Sequence, residues 1–198
     1  MSKRVAVTGF PGAGKSTLVR RVLDRLGCRA GGVLTREVRA GGRRVGFELL
    51  DLLTGQVGTL ASAEEEGPGE GPGEGPMLGR YRVNLTYLEE VGAKAIDRAV
   101  READLVVIDE VGPMELFSDG FVEAVEAALK SEKPILAVVH LKSGHPLAER
   151  IREEFRLFVV TETNRDDLPV EIASQLSLGH DRCPFSRGLE DLTKSRRP

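Results

Sequence analysis

The sequence predicts an α/β fold, a mixed and mainly parallel sheet with antiparallel hairpin additions, formed by residues 1–178. Three observations predict it. Strand-like and helix-like segments alternate over most of the chain, as parallel βαβ units require. A block at 31–60 interrupts that rhythm with short β-rich runs separated by glycine turns. The first strand runs directly into "GFPGAGKST", a glycine-rich turn that opens a helix.

In chain order, "KRVAVT" (3–8) reads as a short strand. From Lys15 to Leu26 the apolar residues fall at 18, 19, 22, 23 and 26, which is helical spacing, and Gly27 is a natural stop. "GGVLTREV", "RRVGFELLDL" and "QVGTLA" read as antiparallel strands at the sheet edge, joined at "AGG" and "TG" turns. Residues 64–76 repeat Gly-Pro-Gly-Glu and have nothing to bury, so a solvated loop is expected. Thr86 followed by Glu89 has the capping-box pattern, predicting a helix from there to about Ala103. A strand at 105–109, a helix near 119–130, the strand "PILAVVH", a helix near 146–154, a strand at 155–161 and a helix from about Asp167 follow. Residues 179–198 carry little apolar periodicity and read as a fraying tail.

Composition narrows the function classes. The formal charge is −3, with 28 basic and 31 acidic residues intermixed. No basic block supports a nucleic-acid footprint. The cysteines, Cys28 and Cys183, make neither a disulfide framework nor a zinc set, so a reducing cytoplasm is the expected location. No apolar run reaches the roughly 18 residues of a membrane span, and the start is too brief for a signal peptide. The oligomeric state is not legible.

Gly9-Phe10-Pro11-Gly12-Ala13-Gly14-Lys15-Ser16 matches G-x-x-x-x-G-K-[ST], the Walker A loop. Its glycines let successive amides point at phosphate oxygens, and the helix start adds a positive dipole end. Lys15 is expected between the β- and γ-phosphates, the Ser16 hydroxyl on Mg²⁺, and Thr17 near the α-phosphate. An accidental glycine-rich turn is the bland alternative. Such a loop needs an acid from a neighbouring strand, and "LVVIDEVG" (105–112) has the form of one, an apolar run ending in Asp109 and Glu110. Asp109 is assigned to the metal, Glu110 to orienting a water and accepting its proton. The competing reading is a strand end with two solvated acids.

An adjacent Glu fits the P-loop class in which another strand separates the two motif strands, here "PILAVVH". His140 would then emerge near the γ-phosphate as a sensor, or be a strand-end histidine bonded to backbone. "NRDD" is a near miss to the N-K-x-D base loop. Asn164 or Asp167 is expected at a base edge with Arg165 stacked on the ring, unless Asp167 simply caps the last helix. Gly112-Pro113 would turn the chain across the site, so Glu115 either holds a water or an arginine there or, the favoured reading, is a solvated loop acid. Arg36, Arg39, Arg80 and Arg82 are candidates for a charge-stabilising arginine, and the sequence does not choose among them.

With "GFPGAGKST", "GGVLTREVR", "GRRVGFELLDL", "LVVIDEVGPMELFS" and "VVTETNRDDLP" in view, the chain resembles the small nucleoside-triphosphatase family first described from thermophiles, whose animal members are called cancer-related nucleoside-triphosphatases. The likeness runs from about residue 3 to 176. It implies a RecA-like, three-layer P-loop NTPase that slowly hydrolyses ATP, GTP and other nucleoside triphosphates to the diphosphate. The family's nucleotide-binding segments map onto Gly9–Ser16 and Leu105–Gly112, which adds Val111 and Gly112 to the site. The "GPGEGPGEGP" segment departs from the family pattern. Two other functions use the same cradle: a small-molecule or nucleic-acid kinase, and a nucleotide-dependent binding switch.

Overall fold

The computed structural model describes residues 3–63 and 75–177. The tail and nearly all of the 64–76 repeat therefore lie outside the described residues. β1 (Arg4–Thr8) leads into α1 (Lys15–Leu26), which ends at Gly27 in a left-handed conformation. β2 (Ala30–Ala40), β3 (Arg43–Asp51) and β4 (Val57–Ala63) follow, then two very short strands, β5 (Met77–Leu78) and β6 (Tyr81–Val83). A continuous helical rod is made of α2 (Leu85–Tyr87), a π-helical stretch at Leu88–Ala93 and α3 (Lys94–Glu102). Its cap is not Thr86. The Asn84 side chain accepts the Tyr87 N–H at 3.1 Å, because an Asx residue two positions earlier reaches the open amide first.

β7 (Leu105–Val111), α4 (Asp119–Lys130), β8 (Ile135–Val139), α5 (Pro146–Glu154), β9 (Arg156–Val159) and α6 (Leu168–Leu176) complete the fold. Local chemistry fixes the helix starts: Ser118 accepts the Phe121 N–H, and His145 Nδ1 accepts the Leu147 N–H beside Pro146 at the first helical position. Asp167 stands at the N-cap position of α6 but makes no side-chain cap bond, so the capping alternative for that residue fails.

Among the described residues the strands form one nine-stranded sheet in the order β5-β6-β4-β3-β2-β7-β8-β1-β9. β2, β7, β8, β1 and β9 are mutually parallel, and β3, β4, β6 and β5 continue antiparallel from β2. The hairpin block is thus not an edge: β2 is one of the five parallel strands, and the short β5 takes the outer position. Leu18, Val19 and Val22 of α1 and Ile172 of α6 cover one face of the sheet. Ile96 of α3, Phe121 and Val125 of α4 and Ile151 of α5 cover the other. Central strands buried by both layers must be apolar at every position, which is why β8 reads "ILAVV" and is buried throughout.

One transverse row positions the site. Val7 pairs with Val138, Val138 with Asp109, and Asp109 with Leu34. The carboxyl ends of β1, β8, β7 and β2 therefore stand level, and the chain just beyond them forms one rim. β2 can lie this close to β7 because Gly32, at φ 104°, has no side chain; a Cβ there would stand 2.1 Å from the Val107 carbonyl oxygen. Gly32→Ala combines backbone strain with overpacking and is expected to destabilise the fold by roughly 2–5 kcal/mol. Denaturant unfolding of the two proteins measures it.

Candidate active site

The rim holds a cleft of about 820 Å³. Every residue from Gly9 to Thr17 except Ala13 lines it; Ala13 turns to the core, and its amide donates to the Phe10 carbonyl at 3.1 Å. Gly14, at φ 98°, makes the turn that starts α1, a conformation glycine adopts without strain. It also leaves α1 without a side-chain cap, and the first turn contains no acid. The helix thus presents open amides and its positive end to the cleft, which favours an anion. Lys15 folds back over the loop, its Nζ donating to the Gly9 and Phe10 carbonyls at 3.1 and 3.3 Å. Phe10 stands out of the loop, 65 % exposed.

Asp109 sits two strands away, with β8 between β1 and β7; at the usual strand spacing that is roughly 10 Å. Its carboxyl is on the α1 side, and Ser16 Oγ donates to Oδ1 at 3.4 Å. Oδ2 is buried with no hydrogen-bond partner among the described residues. The residue is 2 % exposed. Burial, then the neighbouring Glu110 charge, pushes its carboxyl up to about 7. The Thr35 hydroxyl donates to the Asp109 carbonyl and ties β2 to this point.

Glu110 occupies an irregularity in β7. Val106, Ile108 and Val111 all pack in the layer opposite α1, whereas strict alternation would place Val111 on the Asp109 side. The register shift between Asp109 and Val111 inserts Glu110 as the extra residue and turns it into the cleft. Val111 is in the core and Gly112 is buried; neither lines the cleft.

Glu115 is not a solvated loop acid. It lies in a 3₁₀ turn, Glu115–Phe117, and is 5 % exposed. A Cβ at Gly112 would stand 3.1 Å from Glu115 Oε2 and 3.4 Å from Glu110 Cδ, so the two carboxyl groups converge over this glycine. Burial first, and the Glu110 charge second, raise the Glu115 carboxyl to about 8. Its own amide and that of Gly112 donate to it and oppose the rise.

His140 lines the cleft, with its N–H on the Val111 carbonyl and its Nδ1 accepting the Lys142 N–H at 3.3 Å. Asn164 and Arg165 are not in the lining. The Asn164 amide is used by its own loop: Oδ1 accepts the Thr161 N–H at 2.8 Å and Nδ2 donates to the Val159 carbonyl at 2.9 Å. Arg165 stands beside the P-loop, its Cδ 3.6 Å from where a Gly14 Cβ would be. Of the four candidate arginines only Arg36 lines the cleft. Arg39 bonds Glu37, Arg80 bonds the Arg44 carbonyl, and Arg82 bonds the Gly75 carbonyl.

The sequence reading missed Arg20, Thr35, Arg44, Phe47 and Lys142, which also line the cleft. Arg20 had a signal, since it is four residues past Ser16 on the same helix face. Cations (Lys15, Arg20, Arg36, Arg44, Lys142) outnumber carboxylates (Glu37, Asp109, Glu110) in the lining, so the cleft as a whole attracts anions.

A glycine loop between the first strand and first helix, facing an acid across one intervening strand, defines the class: this is a P-loop NTPase. A family model described as NTPase matches residues 4–173. A nucleoside-triphosphatase THEP1 of Methanosarcina barkeri is 48 % identical over 176 residues, covering 87 % of this chain and 96 % of that protein. That of Thermococcus kodakarensis is 53 % identical over 145 residues, covering 72 % and 78 %. The crystal structure of THEP1 from the hyperthermophile Aquifex aeolicus superposes with a TM-score of 0.74 at 34 % identity, covering 87 % of this chain and 98 % of that one. The solution structure of a human cancer-related nucleoside triphosphatase gives 0.72, also at 34 % identity, covering 90 % and 99 %. The chain belongs to the THEP1 nucleoside-triphosphatase family.

The raised carboxyls make the stability of the protein without nucleotide pH-dependent. Folding lifts Glu115 from 4.5 to about 8 and Asp109 from 3.8 to about 7, so folding takes up protons. That stabilisation is complete below the unfolded values and is lost as pH rises through about 7 and about 8. The unfolding free energy is expected to fall from about pH 4 to about pH 8 and then level off, by at most about 1.4 kcal/mol per pH unit for each group. Glu115→Gln should flatten the upper part of that slope. Denaturant melts across this range measure it, and parallel slopes in the two proteins would contradict the assignment.

Proposed function

We propose that this chain hydrolyses nucleoside triphosphates to the diphosphate and inorganic phosphate, with Mg²⁺ and with low base specificity. The observation that carries the proposal is the bare, buried Oδ2 of Asp109, whose carboxyl meets the open amide end of α1 through Ser16. A buried carboxylate without a partner is strongly unfavourable, and a magnesium-bound triphosphate supplies both missing partners at once. Membership of the THEP1 family supports the same reading. Among the described residues no helix is long and apolar enough to cross a membrane, in keeping with a cytoplasmic enzyme of soluble nucleotides.

Magnesium fits the residues present. Ser16 Oγ and Asp109 Oδ2 would hold it, a sparse oxygen shell of the kind Mg²⁺ completes with water and phosphate. When bound, it supplies charge neutralisation at the β- and γ-phosphate oxygens. The remaining work falls to the chain. Amides of the Gly9–Ser16 loop cradle the phosphates, and Lys15 exchanges its two carbonyl partners for β- and γ-oxygens. Thr17 stands at the α-phosphate. Glu110 orients a water for in-line attack and takes its proton as the new P–O bond forms, while the bridging oxygen leaves with the diphosphate. His140, with Nδ1 held by the Lys142 amide, keeps Nε2 for a phosphate or water. Arg165 stacks on the base beside Gly14, while Asn164 shapes the loop that presents it. Val111 and Gly112 act through position, by carrying Glu110. A base held by stacking, with no edge read by Asn164, is held with little specificity.

Reaction in ¹⁸O-water is expected to place label in the released phosphate with ATP, GTP, CTP and UTP alike. Transfer to an added nucleoside or RNA hydroxyl, with no phosphate released, would contradict hydrolysis. Glu110→Gln should retain nucleotide binding while kcat falls on the order of 10²-fold or more. Lys15→Ala should lose affinity and turnover together. Calorimetric titration with a non-hydrolysable analogue, set beside steady-state rates, separates the two outcomes.

A further inference from the structure

Hydrolysis as proposed gives the γ-phosphoryl oxygens Lys15 from the glycine loop and leaves the side of the cleft away from that loop without a donor for the charge they carry as the β–γ bridge breaks. Three arginines line the cleft, Arg20, Arg36 and Arg44, and their surroundings separate them. Arg44 is engaged within the hairpin. It bonds Glu37 at 2.7 Å and the Tyr81 hydroxyl at 3.0 Å, and it lies over the rings of Phe47 and Tyr81. Arg20 stands one helical turn past Ser16, and its charge acts on Asp109, on the side of the metal ligands.

Arg36 is held differently. Its Nε donates to Glu48 Oε2 at 2.8 Å, and Glu48 is its register partner across β2 and β3. Among the described residues the two terminal nitrogens have no partner. The guanidinium is thus fixed at its root, with the N–H donors of its outer edge free. The strand pattern gives its direction. Leu34 and Leu50, themselves a register pair, pack on the face covered by α1, and Arg36 is two residues past Leu34 on the same side. Leu34 is level with Asp109, so Arg36 overhangs the end of the parallel sheet by roughly 7 Å. It does so on the opposite side of Asp109 from the loop that holds Lys15.

We propose that Arg36 is a catalytic residue that contacts the γ-phosphoryl oxygens and stabilises the charge they carry in the transition state, with Glu48 as its positioning residue. This rests on the hydrolysis reading above. Arg36 moves no proton: it stays cationic throughout, the water's proton goes to Glu110, and the bridging electron pair leaves with the diphosphate. The charge therefore comes from the same chain, carried by the β2–β3 hairpin.

The test compares Arg36→Ala and Arg36→Lys with the wild type for kcat, affinity for a non-hydrolysable ATP analogue, and trapping of ADP with aluminium fluoride. Arg36→Ala is expected to lower kcat about 10³-fold with analogue affinity held within about threefold. It should also abolish the trapped complex. Arg36→Lys keeps a cation opposite Glu48, so it guards against a folding defect. It should still lose about 10²-fold in kcat, because an ammonium cannot reproduce the planar fork. The proposal is overturned if both variants keep kcat within about threefold of wild type, or if both lose analogue affinity in proportion to kcat. In either case a wild type that releases labelled phosphate, and a Lys15→Ala protein that does not, would leave the hydrolysis reading standing.

Discussion

Asp109 is held where a carboxylate is least comfortable, at the tip of a strand buried on both sides, with one oxygen on a long bond from Ser16 and the other bare. A protein tolerates such a group when a ligand or a cation completes it. The rest of the rim is organised about this point. β8 separates β7 from β1 and sets the distance to the glycine loop, α1 turns Ser16 toward it, and Thr35 fixes β2 against it. Apolar packing on both faces of the sheet holds these elements in place, so the free energy of the fold maintains the unfavourable carboxylate.

β2 has two roles. On one side it is an ordinary parallel strand of the core, paired with β7; on the other it starts the antiparallel extension through β3. Because it is eleven residues long, it continues past the ends of its parallel neighbours and forms a wall to the cleft. A P-loop core alone would leave that side open. Here the hairpin supplies Arg36 and Arg44 to it, so positive charge faces the glycine loop across the acidic strand tip.

Much of this was legible in the sequence because the relevant signals are local. Helical spacing set α1, α4 and α5 at their observed boundaries, and apolar runs marked β7 and β8; the place of β8 between the motif strands was legible from the Glu beside Asp109, not from its own residues. The glycine loop was readable because each residue type maps onto a backbone requirement. Other features depend on contacts that one sequence does not display. β5 and β6 are two and three residues long, too short for any periodicity. Glu115 looked solvated because a short acidic turn usually is, and only the tertiary fold places it over Gly112. Asn164 resembled a base reader, but its amide completes its own loop. Four arginines were equivalent until the fold showed that, of the four, only Arg36 lines the cleft.

In the proposed reaction one metal ion completes both the bare oxygen of Asp109 and the phosphate-binding loop. Anomalous diffraction from crystals grown with Mn²⁺ and a non-hydrolysable triphosphate tests it directly. The expected result is one strong peak between Ser16 Oγ and Asp109 Oδ2, with the phosphates lying along residues 9–16. A triphosphate bound elsewhere, or a metal that leaves Asp109 untouched, would contradict it.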